Sequence, residues 1–105
     1  MAWVYLFVAG LLEVGWAIGM KYSDGFTRLW PSAITVVSIV VSLFLLSLSL
    51  KSIPIGTAYA VWAGIGTVGT AIVGIAVFSE STDLLRLASI GLIAVGLVGL
   101  KLVTP

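Results

Sequence analysis

Residues 3–20 have the sequence WVYLFVAGLLEVGWAIGM, and this stretch decides the fold. An α-helix needs about 20 apolar residues to cross the roughly 30 Å hydrocarbon core of a membrane, and this stretch approaches that length. Its one charged side chain, Glu13, lies near its middle. A carboxylate at membrane depth is unfavourable unless it is compensated, so we interpret Glu13 as a functional residue. The stretch lacks the features of a removed signal peptide and is expected to remain as the first helix.

Three further apolar stretches follow at about residues 30–50, 56–78 and 85–103, joined by short connections rich in turn residues. Apolar residues make up 61% of the 105 residues and charged residues only 9%, whereas a soluble domain has about 25% charged residues. Away from the ends of the four stretches, Glu13 is the only charged side chain. The sequence therefore predicts an all-α integral membrane protein, with residues 1–105 forming a single domain of four transmembrane helices.

Several classes of function are excluded by residue types that the chain lacks. It contains no cysteine and no histidine, which removes thiolate and imidazole chemistry and nearly every transition-metal site. One intramembrane carboxylate gives no credible catalytic set, so we expect no enzyme activity, no cofactor and no metal. The net charge of +1 without a basic run argues against binding of nucleic acid.

The basic residues are almost evenly divided between the two sides of the membrane. The side that holds the N-terminus has Lys51 and Lys101, and the opposite side has Lys21, Arg28 and Arg86. Orientation normally follows an excess of Lys and Arg, and two against three is nearly no bias. The count favours insertion in both orientations and pairing of two copies as an antiparallel dimer, which resembles the inverted repeats of larger transporters. A single orientation, set by the one extra arginine, is the alternative.

The face of the first helix that carries Glu13 is lined by small and aromatic residues. Helical spacing places Gly10 on the same face, one turn before Glu13, and Trp16 three residues after it. On the third stretch, Tyr59 and Trp62 share one face, and such side chains need partners for their O–H and N–H groups at membrane depth. These aromatic faces and the carboxylate together suit a cation.

Two features of the middle stretches have more than one interpretation. Ser42 can donate a hydrogen bond to a carboxylate or to a carbonyl of its own helix. The second stretch also contains Ser38, Ser47 and Ser49, and periodicity does not select among the four serines. Residues 64–69 match the pattern G-x-G-x-x-G, but no strand precedes them, so we interpret these glycines as packing residues and not as a nucleotide site.

Pairing two chains would bring two Glu13 carboxylates into one central cavity. The glycines of the fourth stretch, at positions 91, 96 and 99, favour such helix association. A carboxylate site binds either protons or a cation, so a protein that changes access only when it is occupied couples proton entry to cation export. A planar guanidinium can form two parallel hydrogen bonds with a carboxylate, and each aromatic face would add about 0.5 to 2 kcal/mol of cation–π attraction.

Three runs of residues carry a resemblance to a known family. They are EVGWA at residues 13–17, KYSDGFTRLWPS at 21–32 and PIGTAYAVW at 54–62. Together with the rest of the chain they resemble the small multidrug resistance transporters. Trp16 and the run GTAYAVWAGIG at residues 56–66 are similar to the guanidinium-exporter subtype, because quaternary-ammonium exporters usually have a smaller residue where Trp16 stands.

The resemblance implies an antiparallel, dual-topology homodimer in the bacterial inner membrane that exports guanidinium compounds in exchange for protons. It implies that Glu13 is the shared binding group for substrate and protons. The other site residues that it implies, which line the site, hold the carboxylate or pack beside it, are Trp16, Ser42, Tyr59, Trp62 and Gly10.

Three other functions compete with guanidinium export. A broad exporter of quaternary ammonium and other hydrophobic cations is the nearest alternative, and it would need a roomier site with fewer hydrogen bonds than Trp16 suggests. A passive cation channel would not require the carboxylate to be neutralised before access changes. A structural membrane protein would not need Glu13 at all.

Overall fold

The computed structural model describes residues 1–104, and these residues form four α-helices. The helices are α1 (Ala2–Tyr22), α2 (Leu29–Ser49), α3 (Ile55–Phe78) and α4 (Leu84–Val103). Each is long and apolar enough to cross a membrane. The prediction of an all-α chain with four membrane-spanning helices is confirmed.

The turn between α1 and α2 is built around a buried serine. The Ser23 hydroxyl donates to the carbonyl of Met20 at 2.7 Å and accepts the backbone N–H of Phe26 at 3.1 Å. Backbone φ is positive at Asp24, Gly25 and Phe26, which reverses the chain within a few residues. Because the connection is this short, α1 and α2 lie side by side as an antiparallel hairpin.

Helix α1 lies between α2 and α3, whereas α4 packs mainly along α3 and reaches α1 through Lys101, whose Nζ lies 4.6 Å from the centroid of the Trp3 ring. The buried apolar side chains belong to the first half of α1, the first half of α3 and the connection before α3. They are Leu6, Ala9, Ile53, Ala58, Val61 and Trp62. The well-packed core therefore occupies the end of the bundle that contains the N-terminus, and the space between α1 and α3 widens toward the other end.

The glycines of α3 allow close approach of neighbouring helices. A side chain at Gly69 would meet Val14 of α1, since a Cβ there would lie 2.5 Å from Val14 Cγ2, and a side chain at Gly64 would collide with Leu97 of α4. Gly64 and Gly69 of the G-x-G-x-x-G pattern therefore lie where α3 approaches α4 and α1 closely.

Helix α4 differs from the other three because it has no buried residue along Leu84–Val103. A Cβ added at Gly91, Gly96 or Gly99 would meet, within 4 Å, no atom of residues 1–104 apart from the adjoining residues and backbone of α4 itself. One face of α4 is therefore left open by the rest of the chain.

Candidate functional site

Glu13 points from the middle of α1 toward α3, where it meets a residue without a side chain. A Cβ at Gly66 would overlap the Glu13 carboxylate, so glycine at this position is what leaves room for the acid. The carboxylate is partly exposed. Within residues 1–104, no side-chain or backbone donor forms a hydrogen bond with it.

The open space beside Glu13 is a cavity of about 440 Å³ between α1 and α3. It runs from Glu13 toward the α3–α4 connection, and Lys21 lies at that end, about 12 Å along α1 at 1.5 Å per residue. Its lining residues are Glu13, Trp16, Ala17, Ile18, Lys21, Gly66, Thr67, Thr70, Ala71, Gly74, Phe78, Glu80 and Arg86. The cavity therefore forms a passage with Glu13 at one end and three charged residues at the other. We call that second end, which is lined by Lys21, Glu80 and Arg86, the mouth of the cavity.

Trp16 lies one turn beyond Glu13 on α1 and lines the same cavity. Its indole Nε1 is buried and has no acceptor among residues 1–104. A buried N–H without an acceptor is unfavourable by about 1 to 3 kcal/mol. The group is thus available to an acceptor that one chain does not provide.

Ser42 and Trp62 form a buried network that joins three helices. The Ser42 hydroxyl donates to the carbonyl of Ala9 at 2.7 Å, and Trp62 Nε1 donates to Ser42 Oγ at 3.0 Å. In an α-helix the carbonyl of residue 9 also accepts the backbone N–H of residue 13. The Ser42 hydroxyl therefore donates neither to the Glu13 carboxylate nor to a carbonyl of its own helix, and it fixes the turn of α1 that precedes Glu13.

Tyr59 and Gly10 complete the set of residues expected at the site. The Tyr59 ring packs against Trp62 with ring centroids 5.5 Å apart, but 59% of its surface is exposed. Gly10 is buried against Ile65, and a Cβ at Gly10 would lie 2.6 Å from Ile65 Cγ2. Glu13 and Trp16 thus share the cavity, whereas Gly10, Ser42, Tyr59 and Trp62 lie outside its lining.

Sequence reasoning did not identify the groups at the mouth of the cavity, which are Lys21, Glu80 and Arg86. Lys21 lies in the last turn of α1, Glu80 in the α3–α4 connection and Arg86 in the first turn of α4. No helical spacing links residue 21 to residues 80 and 86. The one signal in the sequence is that all three charges lie near helix ends predicted on the same side of the membrane.

The network around Ser42 leads to a prediction about stability. In Ser42→Ala the N–H of Trp62 loses its acceptor, and we expect the unfolding free energy in detergent to fall by about 1 kcal/mol, within the range of interhelical hydrogen bonds in membrane proteins. Ser47→Ala is the matched control because Ser47 is exposed on the same helix. Equal stability of the two variants in a denaturant titration would contradict a structural role for the network.

Comparison with known proteins places this architecture in a family. The profile of the Small Multidrug Resistance protein family matches residues 1–93. The chain belongs to the small multidrug resistance family.

Curated relatives of this small multidrug resistance protein match it over almost its whole length. The Guanidinium exporter of Yersinia pseudotuberculosis serotype I (strain IP32953) is 62% identical over 102 residues, which cover 97% of this chain and 98% of the relative. The Guanidinium exporter of Escherichia coli (strain K12) is 58% identical over 104 residues, 99% of each chain. The Guanidinium exporter of Proteus vulgaris is 58% identical over 102 residues, 97% of this chain and 98% of the relative. Family membership and four spans make this a multi-pass transporter of the bacterial inner membrane.

Proposed function

We propose that this protein exports guanidinium in exchange for protons and that it works as an antiparallel homodimer. The observation that carries the proposal is Glu13, a carboxylate in the middle of a membrane-spanning helix that opens into a cavity and has no hydrogen-bond donor from residues 1–104. Such a group needs an occupant from outside the chain.

Guanidinium suits this carboxylate on chemical grounds. Its planar N–H donors can form two parallel hydrogen bonds with the oxygens of Glu13, and its flat face can lie against the Trp16 ring. Gly66 lets the carboxylate lie against the α3 backbone at the edge of the cavity, where a small planar cation can reach it from the cavity side. The relatives named Guanidinium exporter, at about 60% identity over nearly the full chain, support the same substrate.

Exchange with protons follows from exclusive binding at Glu13. A bound guanidinium holds the carboxylate ionised, and a proton on the carboxylate removes the charge that attracts the cation. If the protein changes its open side only with Glu13 occupied, a proton that binds from one side displaces the cation to that same side and is then carried across the membrane, where the next cation displaces it. Ser42 and Trp62 contribute by fixing the α1 backbone beside Glu13, and Gly10 by letting α3 pack closely against that segment.

Two open surfaces and one buried donor without an acceptor support the dimer. Helix α4 has no buried residue, Tyr59 is largely exposed, and Trp16 Nε1 lacks an acceptor among residues 1–104. A second copy in the opposite orientation would cover the open faces and bring a second Glu13 to the cavity. The near balance of basic residues on the two sides permits that opposite orientation.

Guanidinium uptake into proteoliposomes tests the proposal. Vesicles with an acidic interior should accumulate guanidinium faster than vesicles without a pH gradient, and the uptake should alkalinise the interior. An uptake rate that is the same with and without the pH gradient, with no accompanying proton movement, would indicate a channel and contradict exchange.

Trp16 is expected to set the preference among cations. In Trp16→Gly guanidinium loses an aromatic face worth about 0.5 to 2 kcal/mol, which corresponds to a roughly two- to thirtyfold loss of affinity. Tetraalkylammonium gains room and has no N–H donors to lose. We therefore expect the ratio of tetraalkylammonium to guanidinium transport rates to rise, and to rise further when Ser42→Ala loosens α1. Trp30→Gly, at an exposed tryptophan, is the control, and an unchanged ratio in Trp16→Gly would exclude this role.

A further inference from the structure

An ion pair at the mouth of the cavity is not used by the proposed exchange at Glu13. Arg86 Nη2 donates to Glu80 Oε1 at 2.7 Å, and Arg86 Nη1 donates to the backbone carbonyl of Ser81 at 2.8 Å. Glu80 belongs to the α3–α4 connection and Arg86 to the first turn of α4, and both line the cavity. The guanidinium group of Arg86 is thus held by two oxygen acceptors at the end of the passage that leads to Glu13.

The surroundings direct Glu80 into the cavity. Its carboxylate lies over Gly74 of α3, where a Cβ would collide with it. On the α1 side, Lys21 Nζ lies 4.5 Å from the centroid of the Phe78 ring, and both residues line the same space. The mouth therefore has one carboxylate, two cations and an aromatic face, and Glu80 is its only acid among residues 1–104.

We infer that Glu80 is an outer binding site for a guanidinium cation, and that Arg86 occupies this site when no substrate is present. The inference rests on the proposed function and adds a second binding site to the path that the substrate takes to Glu13. The side chain of Arg86 carries the same planar guanidinium group as the proposed substrate. Its contacts show that the mouth accommodates that group with two hydrogen bonds, one to the Glu80 carboxylate and one to the neutral carbonyl of Ser81.

The pair can exchange its cation because it is weak. The side chains of Arg86 and Glu80 are 32% and 43% exposed, and ion pairs at such positions contribute about 0 to 1 kcal/mol. A free guanidinium can therefore displace Arg86 from Glu80. Lys21 and the released Arg86 would then repel the cation from the mouth toward the carboxylate at Glu13.

A purely structural role for the ion pair makes a different prediction. If the pair only fastens α3 to α4, then Glu80→Gln and Arg86→Gln break the same contact and alter transport in the same direction. An outer site predicts opposite directions. Glu80→Gln removes the site and should raise the KM for guanidinium about two- to fivefold at low ionic strength, while Arg86→Gln removes the competitor and should lower it by a similar factor.

Two matched controls separate the site from general surface charge. Asp83→Asn removes an acid from the same connection but outside the cavity lining, and Arg28→Gln removes a basic residue from the same side of the membrane. Arg28→Gln also changes the count of basic residues as Arg86→Gln does, so any effect on orientation is shared. Both controls should leave the KM within about twofold of the wild type, because their charges lie outside the passage and are screened by salt.

The experiment is the initial rate of guanidinium transport against concentration in proteoliposomes of the full-length wild type and the four variants. Opposite shifts of KM for Glu80→Gln and Arg86→Gln, beyond those of the controls, support the outer site. Shifts in the same direction, or shifts no larger than those of Asp83→Asn and Arg28→Gln, overturn it.

A binding measurement keeps the outer site testable without transport. The chain contains two arginines, so the Arg86 side-chain Nε–H signal in a ¹⁵N NMR spectrum can be assigned by its loss in Arg86→Gln, with Arg28 as the internal reference. Guanidinium chloride should shift the Arg86 signal and leave the Arg28 signal unchanged, whereas sodium chloride at equal ionic strength should shift neither. The same result is expected in Glu13→Gln, which lacks the inner carboxylate. If guanidinium shifts the Arg86 signal no more than the Arg28 signal, guanidinium does not displace Arg86 from Glu80. If the Arg86 signal shifts but the protein transports no guanidinium, only the proposed function is refuted.

Discussion

Replacing Glu13 by glutamine is expected to abolish proton-coupled transport of guanidinium. Glutamine keeps the shape of the side chain beside Gly66, but it can neither bind a proton nor carry the negative charge that attracts the cation. Removal of the only charged group in the middle of the spans should therefore reduce exchange to the level of empty vesicles, while the protein remains folded. Guanidinium flux and the accompanying proton flux in proteoliposomes measure this directly.

Glu80→Gln is the matched control for Glu13→Gln, because it makes the same chemical change at the opposite end of the same cavity. It is expected to alter KM and to retain exchange. The unfolding midpoint of each variant in detergent shows whether a loss of flux reflects misfolding. Coupled exchange that survives in a folded Glu13→Gln protein would contradict the central role of this carboxylate.

A variant that inserts in one orientation only should be inactive by itself, and co-expression with a variant of the opposite orientation should restore activity. The wild type has two basic residues on the N-terminal side and three on the opposite side. The first locked variant has four against two, through the substitutions Ser52→Lys, Thr104→Lys and Arg28→Gln. The second has two against five, through Thr27→Lys and Thr82→Lys. Since orientation follows this count, each variant should insert one way only. An antiparallel dimer cannot form from chains that all point the same way.

Resistance of cells to guanidinium is the measurement, with each locked variant expressed alone and then both together. Labelling of a cysteine introduced in the α1–α2 turn, with a reagent that does not cross the membrane, reports the orientation achieved. Full resistance from one locked variant, with its single orientation verified by labelling, would contradict the antiparallel dimer.

The four helices and their intramembrane acid could be predicted because both depend on composition along the chain. A long apolar stretch specifies a span, and an acid inside it is conspicuous whatever the packing. Trp16 was predicted at the site for a similar reason, since spacing along one helix places it beside Glu13 without knowledge of any other helix.

The role of Ser42 could not be predicted from periodicity, because it depends on where α2 crosses α1. A shift of one turn between the helices would move its hydroxyl from the carbonyl of Ala9 to another partner. Gly66 and Glu80 escaped prediction for the same physical reason. Each acts through a residue distant in sequence, Glu13 for the first and Arg86 for the second, and only the packed helices bring those pairs together.

The open face of α4 has a consequence for how the transporter depends on its abundance. If the working unit needs two chains, the number of working units varies with the square of the subunit density when subunits are scarce in the lipid. Dilution of the protein in excess lipid would then abolish transport, although every chain stays folded. A cell that makes only a few copies would gain little protection from them, and modest increases in synthesis would produce disproportionate increases in export.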